Sequence, residues 1–118
     1  MRKELLDEVL DELKEVINAE ASAIATRSGL LISSEIPEGI DGETFTALAA
    51  TILGAAETTT SEIKKKAPER VIVETEETRI ITMGAGEKAL LVCMTSEPDL
   101  EMLLKELDKA AEKVEKVL

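Results

Sequence analysis

The run KALLVCMT, whose strand is placed at Ala89 to Met94, shows no alternation of apolar and polar residues. A strand that is apolar on both sides belongs in the middle of a sheet with both faces covered. That requirement asks for a layer of helix on each side of a sheet, and the rest of the chain has to supply it. Three segments can. Leu5, Leu6, Val9, Leu10, Leu13, Val16 and Ile17 recur at three- and four-residue spacing between acids and lysines, the mark of an amphipathic helix with one buried stripe. Leu100, Leu103, Leu104, Leu107, Ala111, Val114 and Val117 repeat the pattern toward the C-terminus, after Ser96 and Asp99 spaced as a capping box with Pro98 in the first turn. Between them, a helix is expected from an N-cap at Asp41 to about Lys66, with Pro68 stopping it.

The other strands come as hairpins. Ser22 to Thr26 and Leu30 to Ser34 flank a turn in which Gly29 supplies positive φ, and Pro37 and Gly39 end the pair. Arg70 to Thr75 and Arg79 to Gly84 flank an acidic tip at Glu76 and Glu77. The order is α-β-β-α-β-β-β-α: an α/β (α+β) chain with a five-stranded, largely antiparallel sheet between helices. At 118 residues it is expected to be a single domain over residues 1–118.

Composition removes several functions. The formal net charge is −11 and the pI about 4.5, so phosphate backbones and anionic lipid surfaces are repelled, and neither nucleic acid nor membrane is an expected partner. The charged start MRKELLDEVLDELKEV is neither a signal peptide nor an anchor, and a soluble, cytoplasmic protein is expected. There is no histidine, which removes the commonest general base and imidazole metal ligands together. No enzyme activity, cofactor or metal is expected. Cys93, the lone cysteine, reads as a small buried hydrophobe.

Weaker signals read as structure. GAGEK (Gly84 to Lys88) lacks the GxxxxGK[ST] spacing of a phosphate loop and joins two strands, so a hairpin turn is expected. Glu76 and Glu77 are solvated turn residues. Lys64, Lys65 and Lys66 are placed in the last turn of the second helix, offsetting its dipole, with a steering patch for an acidic partner as the alternative. Arg27, at the first hairpin tip, is either a solvated turn residue or an arginine available for insertion into another protein's active site.

The second helix is the unusual element. On a 100° wheel, Phe45, Leu48, Ala49, Ile52, Ala56 and Ile63 form a stripe expected to grip the sheet. The opposite side carries Ala47, Ala50, Thr51, Gly54, Thr58 and Ser61, small and neutral where the other helices are charged. Gly54 inside a helix costs about 1 kcal/mol relative to Ala, and small residues at this spacing admit a close partner, most simply the same helix of a second copy.

The succession from the opening helix through AIATRSGLLISSEIP, FTALAATILGAAETTTSEIKK and RVIVETEETRIITMGAGEKALLVCMTSEPDLEMLLKEL resembles the roadblock family, small domains related to dynein light chains and to the MglB-like regulators of Ras-like GTPases. The resemblance implies a profilin-like sandwich, the second helix on one sheet face and the first and third on the other. It implies homodimers, or heterodimers with a related roadblock protein, through the second helix and the strand after it, so that Val71, Val73 and Thr75 join the small helix face at the interface. It further implies a non-enzymatic adaptor that binds and regulates a Ras-like small GTPase. The alternative is a structural dimerisation module of a larger complex with no GTPase contact.

Overall fold

The computed structural model describes residues 1–118. Its elements are α1 (Arg2–Ile17), β1 (Ala21–Thr26), β2 (Leu31–Glu35), α2 (Gly42–Glu62), β3 (Arg70–Glu74), β4 (Arg79–Ala85), β5 (Ala89–Thr95) and α3 (Leu100–Val117), in the expected order. The sheet runs β2-β1-β5-β4-β3, every neighbouring pair antiparallel. β5, the strand without alternation, is the middle one. Its residues Ala89 to Cys93 are all buried, because helices cover both faces as its sequence demands.

The two layers are unequal. On the α1/α3 side Leu6, Leu10, Leu13 and Ile17 meet Leu103, Leu107 and Val114 over Ile24, Ile81, Leu91 and Cys93, part of a cluster of 18 buried residues. The α2 side buries 6: Ala23, Ala25, Ala49, Leu53, Leu90 and Val92. Alanines on β1 let α2 approach closely, yet Phe45, Val71 and Ile80 are left only partly buried around that cluster. A single helix cannot cover a five-stranded face, and the uncovered part lies toward β3.

Asp41 caps α2 as its sequence position indicates, accepting from the amides of Glu43 and Thr44. The helix ends at Glu62 and not at Lys66. Lys64 takes the left-handed conformation, φ 59, and the Lys65 amide donates back to the Thr60 carbonyl, so the lysines lie beyond the last turn. Nor does Ser96 cap α3. Its hydroxyl donates to the Glu20 carboxylate instead, Pro98 precedes the helix, and Asp99 accepts from the Met102 amide as the N-cap.

Candidate interaction surface

The buried residues of α2 are Thr46, Ala49 and Leu53, so the helix is turned by about 70° from the stripe centred on Phe45. Thr46 causes the difference. Its fully buried hydroxyl lies 3.0 Å from the Gly29 carbonyl and 3.1 Å from the Gly42 carbonyl, so a residue that counts as polar on a wheel is satisfied inside the fold. The consequence falls on the large apolar residues. Leu48 and Ile63, expected to grip the sheet, are 57% and 61% exposed, and Ile52 is only partly buried.

The small side of α2 divides in two. A Cβ on Gly29, whose φ is +94°, would stand 3.0 Å from the Ala47 Cα and 3.3 Å from the Ala50 Cβ. The β1–β2 turn therefore packs against the Ala50 methyl group and the backbone at Ala47, while the Ala47 side chain is exposed. Gly54 differs: a Cβ there meets nothing within 4 Å, so no packing inside the chain requires a glycine. Thr51 and Thr59 donate their hydroxyls to the Ala47 and Ala55 carbonyls of their own helix, at 2.9 and 2.7 Å. With the hydroxyls occupied, their methyl groups add to an apolar flank. Thr58 and Ser61 are exposed on the same helix.

The flank turned away from the β1–β2 turn is thus open, and the β3 side of the sheet is open with it. Val71 packs against the α2-side cluster, while Val73, two residues on and on the same face, is 36% exposed. β3 is also a sheet edge of unbroken register, from Arg70 opposite Met83 to Glu74 opposite Arg79. The other edge is blunted: β2 pairs with β1 through an irregularity at Ile24/Ala25, and its Ser33 hydroxyl donates to Asp7 of α1. Thr75 lies past the end of β3. Its hydroxyl accepts from the amides of Glu77 and Thr78 and builds the exposed acidic turn.

Arg27 is half-buried and held by partners within the chain, which leaves it neither a free turn residue nor available to another active site. Its guanidinium pairs with Glu57 at 3.0 Å and donates to the Gly86 carbonyl at 2.9 Å, lying so close over Gly84 that a Cβ there would be 2.4 Å from it. It ties the β1–β2 hairpin to α2 and to the β4–β5 turn. The GAGEK segment is that turn, with Gly86 at φ +78° and no helix following to cradle a phosphate. Burial pushes the Cys93 thiol up to about 12, leaving no thiolate for chemistry near neutral pH. Clefts of 360 and 350 Å³ border the β4–β5 turn and α3, away from the open flank of α2. No helix is long and apolar enough to cross a membrane.

Comparison with known proteins identifies the fold and the family. A protein of Methanocaldococcus jannaschii, MJ0714, is 32% identical over 97% of this chain and 97% of its own. A structure of MglB in a tetrameric arrangement superposes with a TM-score of 0.90 at 21% identity, over 98% of this chain and 89% of that one. Profilin II of Acanthamoeba castellanii superposes at 0.57 and 15% identity, over 87% and 88%, which makes the fold profilin-like. The sequence profile of the Roadblock/LC7 domain matches residues 5–95, from within α1 through all five strands, and the chain belongs to that family.

Proposed function

We propose that this protein is a non-enzymatic cytoplasmic adaptor that self-associates through the outward flank of α2 and the edge of β3, and presents the paired helices to a Ras-like small GTPase. The observation that carries the reading is the apolar flank of Leu48, Ile52 and Ile63 beside the half-covered Val71 and Val73. In a lone copy it is an unburied apolar face in a protein of net charge −11, and such faces mark contact sites. A regular edge strand beside it can extend the sheet into a second copy or a related roadblock protein. The tetrameric arrangement recorded for MglB is in keeping with self-association. In this reading the whole chain acts as one roadblock unit, since α3, outside the residues matched to the family, shares a core with α1.

The GTPase rests on the family resemblance and on an α2 flank that is uncharged up to Glu62 at its end. A regulator must bind one nucleotide state better than the other, because equal affinity shifts nothing. Titration with Ras-like GTPases loaded with GDP or a GTP analogue is expected to show binding that differs between the states by tenfold or more. Absence of binding in either state removes the GTPase from the proposal. It then favours the second reading, a dimerisation module of a larger complex.

A further inference from the structure

The two helical layers are held unequally. Of the 21 residues of α2 three are buried, Thr46, Ala49 and Leu53, and the 6 residues of the cluster beneath it include the alanines Ala23, Ala25 and Ala49. α1 and α3 share the cluster of 18. Lys113 of α3 pairs with Glu12 of α1, and the layer is tied to the sheet by Asp7 with Ser33 and by Asp108 with Arg70. α2 has two side-chain ties to the sheet, Thr46 to the Gly29 carbonyl and Glu57 to Arg27, and both end on the one β1–β2 turn. Its own sequence adds little, because its threonines and Gly54 are weak helix formers. The segments on either side are exposed, Pro37 to Asp41 before α2 and Ile63 to Ala67 after it, and a Cβ on Gly39 would meet nothing within 4 Å.

We infer that α2 opens from the sheet as one unit, hinged at the two exposed segments, while the sheet and the α1/α3 layer stay folded. Opening of part of a structure costs less than global unfolding and takes the elements with the least buried contact. Here it gives up the smaller cluster and the two ties to the β1–β2 turn, and leaves the cluster of 18 intact. Detached, a helix of this composition does not keep its hydrogen bonds alone, so opening bares its amides to solvent. Arg27 is the latch, since its guanidinium is the one charged group joined to α2 from the sheet side, and Glu57 loses that partner when α2 leaves. A partner seated on the outward flank of α2 meets the closed form, so binding and closure favour each other by the same factor. The opening follows from the packing of a single copy; only this coupling rests on the interface proposed above.

Native-state hydrogen exchange in low urea tests the opening, at a dilution where the chain sediments as a monomer. Amides in the middle turns of α2, Ala49 to Glu57, are expected to share one protection factor, about tenfold or more below that of β5, and to fall together as urea is added. Leu53→Ala should speed α2 exchange about thirtyfold or more, and Arg27→Met about tenfold. Leu107→Ala, in the α1/α3 layer, should speed exchange in β5 and leave α2 as it was, because the open form keeps that layer packed. Ile81→Val is a milder truncation of the same cluster and gives the same comparison where Leu107→Ala does not fold. Higher concentration should slow exchange in α2 where a second copy binds its flank. A chain that stays monomeric at every concentration removes the coupling to a second copy and leaves the opening to the other measurements. Three results overturn the inference: α2 protected as strongly as β5, protection that grades inward from the helix ends without response to urea, or an α2 that speeds up together with β5 in the α1/α3-layer variants.

Discussion

Leu48 and Leu53 are five residues apart on one helix and separate folding from association. Leu53 is 2% exposed among Ala23, Leu90 and Val92, whereas Leu48 is 57% exposed. Leu53→Ala removes buried atoms and leaves a cavity, a cost of about 2–5 kcal/mol, and we expect about 3. Leu48→Ala in a lone copy has little to lose, about 0.5 kcal/mol or less. In a dimer the remaining exposed half of the side chain is covered. Complete burial of a leucine contributes roughly 1.5–3 kcal/mol, so about 1–1.5 kcal/mol is lost per protomer and about 2–3 per dimer, a weakening of roughly 30- to 150-fold. Urea unfolding followed by circular dichroism at several protein concentrations tells the two apart. Leu53→Ala should lower the midpoint at every concentration. Leu48→Ala should match the unmodified chain when dilute and fall behind it only as concentration rises, because association adds stability by mass action. A Leu48→Ala variant as destabilised as Leu53→Ala in the dilute limit would refute the orientation of α2 given above.

Three further substitutions probe the supports of the site. Gly29→Ala places a side chain at φ +94° and 3.0 Å from the Ala47 backbone, and thermal melts are expected to show a loss of about 2 kcal/mol or more. Arg27→Met strips the partner from Glu57 and the donor from the Gly86 carbonyl, for about 1–2 kcal/mol, with faster hydrogen exchange in the β4–β5 turn. Asp7 is held below its ordinary 3.8 chiefly by the Ser33 hydroxyl, which outweighs the opposing desolvation, with lesser help from Lys3. A lowered carboxylate pKa stabilises the fold above 3.8 and ceases to do so as pH falls through the folded value. Ser33→Ala should therefore lower stability near neutral pH, leave it unchanged in acid where Asp7 is protonated in both states, and raise the Asp7 pKa seen by NMR titration.

What could be read from the sequence was whatever depends on neighbours in the chain. β5 announced its central place by lacking alternation, Gly29 its turn, and Asp41 its cap through the two amides that follow it. Three of the failures share one cause, a partner distant in sequence. Thr46 is buried because a carbonyl 17 residues earlier accepts its proton, and that contact sets the phase of α2 and turns Leu48 and Ile63 outward. Ser96 is drawn from the cap of α3 by Glu20, 76 residues away. Arg27 reaches a carbonyl 59 residues on, a path left clear by Gly84, and no local pattern marks it. The end of α2 was missed for a different reason, since Lys64 holds a left-handed position that sequence reading assigns to glycine or asparagine.

In the proposed assembly a second copy binds at the flank of α2 and the edge of β3. Hydrogen–deuterium exchange tests this on the unmodified chain, because half the amides of an edge strand have no partner in a lone copy and gain one when two β3 strands pair. Above the dissociation constant, Arg70 to Glu74 should be protected. Dilution, or Thr51→Glu on the exposed flank, should release that protection while leaving β5 unchanged. Exchange in β3 that is equally fast at every concentration in a protein that sediments as a dimer would place the interface elsewhere and contradict the account.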